Sequence, residues 1–228
     1  MIALYPFGPY IGKWKLADDV LQPLLQLTDD ILASENKVDV GEKLAGQIKG
    51  QFEIQIDALE EADILKAFLD CSLQYIDRRK IHGDHGDLKK IDVNMIQCWV
   101  NSMYKHEWNP PHVHNLDLSS IVILKLPDKL KQPDQTRYFL RPQEGQVTFI
   151  NGSFRAAQEY EQGSFLVRPE EGDFYLFPAR LHHSVMPFTC EGERRTVSFN
   201  IKVNLHFNKD QEKFDQSWKN SPVASLSY

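Results

Sequence analysis

The run Arg194–Val203 alternates in character: Val197, Phe199, Ile201 and Val203 would share one face of a strand, and Thr196, Ser198, Asn200 and Lys202 the other. Side chains on a strand alternate between faces, so this segment needs two different environments at once. An antiparallel sheet often meets that need by showing water its polar face. The other solution turns the polar face inward, around a polar ligand, and covers the apolar face with helices. The N-terminal part of the chain carries helical stripes that need a surface to bury themselves on, which favours the second solution. By the same parity Arg194 joins Thr196 and Ser198 on the polar face, whereas Arg195 points the other way.

The chain changes character near residue 90. Before it, apolar residues recur near a 3.6-residue period. One helix would carry Val20, Leu21, Leu24, Leu25, Ile31 and Leu32, capped by Asp18 or Asp19 with Pro23 in its first turn. A second would carry Ile64, Leu65, Phe68, Leu69, Leu73 and Ile76, and the glycine-rich stretch His82–Asp87 would join the halves. After it, strands are expected over Ile91–Tyr104, Leu118–Leu126, Tyr138–Leu140, Gln146–Ile150, Phe165–Arg168, Asp173–Phe177 and Arg194–Val203, separated by Gly, Asn, Asp and Pro turns. Short strands at this spacing suggest a sandwich or barrel. The expected organisation is one domain: a helical N-terminal region (1–90) packed on a β core (91–207), followed by a polar tail (208–228).

Composition narrows the partners. A net charge of -6 and a pI near 5.8, without basic runs, argue against nucleic-acid and anionic-membrane surfaces. No apolar stretch approaches a membrane span, and the start Met-Ile-Ala-Leu-Tyr-Pro lacks the character of a signal peptide. Cys71, Cys98 and Cys190 form no C-x-x-C pair and read as reduced thiols, so the expected location is the cytoplasm.

The chemistry sits in two runs, Asn109-Pro-Pro-His-Val-His-Asn115 and Phe177-Pro-Ala-Arg-Leu-His-His-Ser-Val-Met-Pro187. With Val113 in a strand, His112 and His114 point to one face. A third imidazole from His182 or His183 would complete a facial metal site that leaves the opposite positions open. Asp117 is close enough to supply a carboxylate instead of His114. Fe(II) suits either set, with room for a chelating acid and O2. Arg194 could pair with the far carboxylate of such an acid, and Thr196 could add a hydroxyl hydrogen bond. Trp99, Asn101, Tyr138 and Arg141 would line the mouth. An H-x-H pair alone more often serves packing, and Arg194-Arg195 alone could be a solvated pair; the two runs together make the metal reading the stronger. His82 and His85 with Asp84 or Asp87 are read as a polar turn, and His106 and Glu107 as surface or mouth residues.

The combination His112-x-His114, His183-x-x-x-Pro187 and Arg194-x-Thr196-x-Ser-Phe-Asn200 resembles the iron(II)- and 2-oxoglutarate-dependent oxygenases, in particular their prolyl-hydroxylase-like bacterial and phage members. The likeness covers about residues 95–203, and Glu42–Ile48 is also similar to phage members. Ser119–Leu124 departs from the family's S-G-V-Y-Y segment, and His114 stands where many relatives have aspartate. The resemblance implies a mostly β fold, a double-stranded β-helix barrel of jelly-roll or cupin-like type with N-terminal helices. It implies metal ligands His112, His114 (or Asp117) and His183. It also implies 2-oxoglutarate held by Arg194 with Thr196 and Asn101, and hydroxylation of a C–H bond, a prolyl residue of a peptide or protein being the family's example. A cupin-like dioxygenase that uses no 2-oxoglutarate, and a non-catalytic barrel binding a small ligand, are the competing readings. The substrate could equally be a small molecule, and an uncovered edge strand could support a homodimer.

Overall fold

The last long strand is buried on both sides. The computed structural model describes residues 2–4, 9–80, 88–131, 144–151, 163–207 and 223–227. Within it Val197, Phe199 and Ile201 pack into a core with Leu24, Phe68 and Leu69, whereas Arg194, Thr196, Ser198 and Asn200 are buried on the opposite face. The helices responsible are α1 (Asp18–Ala33) and α3 (Leu65–Lys80), with the short α2 (Ile56–Glu61) before α3 and α4 (Asp128–Lys131) further on. Phe68 stacks on Phe199 at 4.7 Å, so the helical stripe meets the apolar side of the sheet as the two periodicities require.

Two antiparallel sheets carry the fold. The larger runs β1 (Ile2–Leu4), β2 (Ile11–Lys15), β9 (Asp173–Pro178), β6 (Leu118–Lys125), β11 (Arg194–Phe207), β4 (Leu88–Met103) and β12 (Val223–Ser227), with β3 (Gly50–Glu53) also on β4. The smaller runs β5 (Asn109–His112), β10 (His182–Val185), β7 (Val147–Ile150) and β8 (Ser164–Val167). They pack face to face through Ile121, Ile123, Tyr175 and Phe177 on one side and Val147, Phe149, Val167 and Val185 on the other.

The expected double-stranded β-helix barrel is therefore corrected: neither sheet closes. Each keeps its own edges, and among the described residues no hydrogen-bonded ladder joins one sheet to the other. A barrel interior and the space between two sheets ask the same thing of β11, one buried polar face, so its alternation could not tell them apart. Closure depends instead on pairing between the outermost strands.

Most predicted strands lie within a few residues of observed ones. Tyr138–Leu140, the His82–Asp87 turn with its histidines, Arg141, and all of the tail except β12 fall outside the described residues. The strands β2 and β3 lie in the part that read as helical, because each is short and its partner, β9 or β4, is distant in sequence. In α1, Ala17 is the N-cap without a side-chain bond, Asp18 and Asp19 lie in the first turn, and Pro23 lies inside the helix, beyond that turn. The acidic first turn still favours the helix N-terminus electrostatically. Arg195 leaves the polar face as parity requires: it donates to Thr28 Oγ1 at 3.1 Å and grips Glu193 through Nε at 2.7 Å and Nη2 at 2.9 Å, pinning α1 to the sheet.

Strand β4 changes parity midway. Asn200 pairs with Gln97 and Ile201 with Met95, so Ile96 is the extra residue of a bulge. Val93 and Met95 before it, and Cys98 and Val100 after it, consequently all enter the helix-side core, leaving Trp99 and Asn101 on the inner face beside β11's polar residues. The three cysteines are free, and no helix among the described residues is long and apolar enough to cross a membrane.

Candidate metal centre

Antiparallel pairing of β5 with β10 sets His112 directly opposite His183, with ring centroids 4.2 Å apart. His114 follows two residues later, 5.0 Å from His112 and 5.2 Å from His183. Strand β5 ends at His112, so the i, i+2 reading holds without Val113 being in a strand. The backbone instead fixes His114, whose N–H donates to Ala179 O at 2.8 Å. One ligating nitrogen from each of the three lies within 4.8 Å of the others. Asp117 is not part of this group: its carboxylate accepts the Val203 N–H at 2.8 Å and pairs with Lys202 at 3.3 Å. His182, register partner of Ile150, faces solvent, while His183 beside it is buried.

Hydrogen bonding fixes the tautomers. His112 Nδ1 lies 2.7 Å from Pro110 O, and His183 Nδ1 lies 2.9 Å from Leu181 O. A carbonyl only accepts, so each Nδ1 carries the proton and each Nε2 keeps a lone pair for a metal. Burial, aided by the neighbouring imidazoles, pushes all three rings toward the neutral form: His112 below its ordinary value, His114 to about 4, and His183 well down. Three neutral nitrogen donors are the ligand set a divalent transition metal takes.

A pH dependence follows for the metal-free protein. Unfolded histidines take up protons near pH 6.5, while these folded ones resist. Below that pH the unfolded state binds more protons, so stability falls as pH falls, through a window that for His114 extends down to about 4. Each histidine adds up to about 1.4 kcal/mol per pH unit within its window. Urea midpoints of metal-free protein should decline between pH 7 and 5; a flat profile would show that these imidazoles are not held neutral.

Aromatic rings wall the triad. Phe177 meets the His183 ring edge-on at 4.8 Å, Phe149 lies 6.4 Å from it, and Trp99 stands 5.7 Å from His114. Trp99 thus lies where the sequence suggested, whereas the two phenylalanines read only as strand core. The mouth residues Tyr138 and Arg141 lie outside the described residues. His106 lies in an exposed turn before β5, and the half-buried Glu107 follows it, its carboxylate accepting the Tyr104 N–H at 2.8 Å.

Arg194 is the unusual charge. It is 2% exposed, its Nε donates to Gly145 O at 3.1 Å, and its Nη2 has no partner among the described residues. No carboxylate among the described residues pairs with it, and burial alone pushes it down to about 10, so it stays cationic at neutral pH. Gly145 bonds Met186 O just beyond the end of β10, on the same strand as His183. Beside Arg194 on the inner face, Thr196 Oγ1 accepts Asn101 Nδ2 at 3.3 Å, and Asn101 Oδ1 accepts Gln51 Nε2 at 2.8 Å. Gln51 escaped the sequence reading, since a lone glutamine in a short strand carries no motif.

Residues 97–200, just under half of the chain, match the profile of the family described as "Putative 2OG-Fe(II) oxygenase". Solved structures share the fold. HygX from Streptomyces hygroscopicus, with nickel and 2-oxoglutarate bound, is 11% identical with a TM-score of 0.54, covering 86% of this chain and 83% of its own. A prolyl hydroxylase from Trichoplax adhaerens, in complex with a hypoxia inducible factor peptide fragment, is 14% identical with a TM-score of 0.51, covering 83% and 82%. SnoN, an α-ketoglutarate-dependent epimerase from nogalamycin biosynthesis, is 14% identical with a TM-score of 0.54, covering 86% and 80%. No curated protein matches the chain.

Proposed function

We propose that the chain is an iron(II)- and 2-oxoglutarate-dependent oxygenase that hydroxylates an aliphatic C–H bond. The observation that carries the reading is a three-imidazole cluster together with Arg194, a buried guanidinium that has no carboxylate partner among the described residues. An unpaired buried cation is costly, and an anion bound beside it would offset that cost. The donor set and the orphaned guanidinium both fit the metal and the cosubstrate.

His112, His114 and His183 would hold the metal, and Arg194 the distal carboxylate of 2-oxoglutarate, with Thr196 beside it. When bound, iron(II) and 2-oxoglutarate supply oxidation by O2, in which 2-oxoglutarate and R–H yield succinate, CO2 and R–OH. The protein's own part is placement and exclusion. Carbonyls at Pro110 and Leu181 hold two imidazoles in the ligating tautomer, and Phe149, Phe177 and Trp99 keep the imidazoles dry. Three neutral imidazoles leave the metal's full positive charge to attract the anionic cosubstrate. The first substrate to try is a prolyl residue in a peptide, supported by the Trichoplax adhaerens fold neighbour and by the sequence resemblance.

Anaerobic titration with Fe(II) and then 2-oxoglutarate tests the cosubstrate: a visible charge-transfer band is expected. Iron binding without the band would instead support a dioxygenase that uses no 2-oxoglutarate, and no iron binding would end the catalytic reading. Proline-containing peptides are then scored for one added oxygen by mass.

A further inference from the structure

The amide of Gln51 begins a chain of hydrogen bonds with a direction. Gln51 lies in β3, opposite Asn101 of β4, and is 1% exposed. Its Nε2 donates to Asn101 Oδ1 at 2.8 Å, so the Asn101 amide must turn its NH2 group the other way. That NH2 donates to Thr196 Oγ1 at 3.3 Å. Asn101 and Thr196 are cross-strand partners on the inner face, and Arg194 is the next inward residue along β11. A hydroxyl already accepting from Asn101 has its proton left to donate. We infer that Gln51 is a positioning residue: through Asn101 it fixes the Thr196 hydroxyl as a donor toward the anion held by Arg194.

Two further features agree. Gln51 Oε1 is buried with no partner among the described residues, so the bond the amide makes here is through its nitrogen. Space for it is made by Gly46, where a Cβ would lie 2.9 Å from Gln51 Nε2 and 3.0 Å from Oε1. Gln51 also lies outside residues 97–200, in a strand that reaches the site only through its pairing with β4.

The inference rests on the 2-oxoglutarate reading above, and its test keeps the two apart. Dissociation constants for Fe(II) and for 2-oxoglutarate are measured anaerobically on wild type, Gln51→Leu, Gln51→Glu, Gly46→Ala, Thr196→Val and the double variant Gln51→Leu/Thr196→Val. A band in wild type supports the cosubstrate reading; its absence sinks both. Given the band, Gln51→Leu should weaken 2-oxoglutarate about tenfold, the scale of one hydrogen bond to a charged group, and leave Fe(II) affinity within about twofold. Gln51→Glu should weaken it further, because a carboxylate can only accept. It would reverse the Asn101 amide and draw the Thr196 proton away from the anion. Gly46→Ala, which crowds Gln51 without changing it, should act like Gln51→Leu and covers the case in which that variant folds poorly. The double variant should bind 2-oxoglutarate no more weakly than Thr196→Val alone. Wild-type affinity in both Gln51→Leu and Gly46→Ala, or losses that add in the double variant, would overturn the assignment.

Discussion

His183→Ala should abolish tight iron(II) binding and with it any charge-transfer band. This imidazole is 3% exposed, the most buried of the three, and lies opposite His112 across a ladder that fixes both. Loss of a mere supporting hydrogen bond at a metal site costs about 10–100-fold in affinity, and loss of a ligand should exceed that. Circular dichroism should remain folded, since the substitution removes one ring from an aromatic cluster that keeps Phe149 and Phe177. His182→Ala, one residue away on the exposed face, is the matched control and should bind iron as wild type does. If His183→Ala kept wild-type affinity, the metal would lie elsewhere.

Arg194→Met should separate stability from function. Methionine removes a buried charge that has no carboxylate partner among the described residues, at the cost of the bond to Gly145 O. Replacing a buried ion pair with apolar side chains of similar volume is often neutral or stabilising by about 1–4 kcal/mol, and a lone desolvated charge has no partner's attraction to lose. We therefore expect the ligand-free variant to melt higher than ligand-free wild type. Binding of 2-oxoglutarate should fall by about 2–5 kcal/mol, roughly 30-fold to several thousand-fold. Adding 2-oxoglutarate at 100 times the wild-type dissociation constant should stabilise metal-loaded wild type by about 2.7 kcal/mol and the variant by less than about 1 kcal/mol. Calorimetry with and without the acid decides it. A variant that is less stable yet responds to 2-oxoglutarate would return Arg194 to a purely structural role.

The strand periodicity of β11 and the helical stripes of α1 and α3 were legible because each depends on neighbours in sequence. The two-residue spacing of His112 and His114 was legible for the same reason, and so was the opposite facing of Arg194 and Arg195. What sequence could not supply was long-range: whether sheets close, which strand a short segment such as Gly50–Glu53 joins, and hence that Gln51 would stand beside Asn101. Asp117 shows the limit well. Its proximity in sequence to His114 made it a candidate ligand, yet its partners Val203 and Lys202 come from the far end of the chain and occupy its carboxylate. The bulge at Ile96 is a similar case, since an extra residue in β4 is visible only once β11 is laid against it.

Where the protons sit on His112 and His183 has an evolutionary side. Both rings take their orientation from a main-chain carbonyl two residues upstream, at Pro110 and Leu181. Every amino acid brings that carbonyl, so no single substitution at either position deletes the acceptor. Sites that rely on a carboxylate for the same task can lose it to one point mutation. For the placement of these two protons, positions 110 and 181 can change in side-chain identity so long as the backbone path is kept.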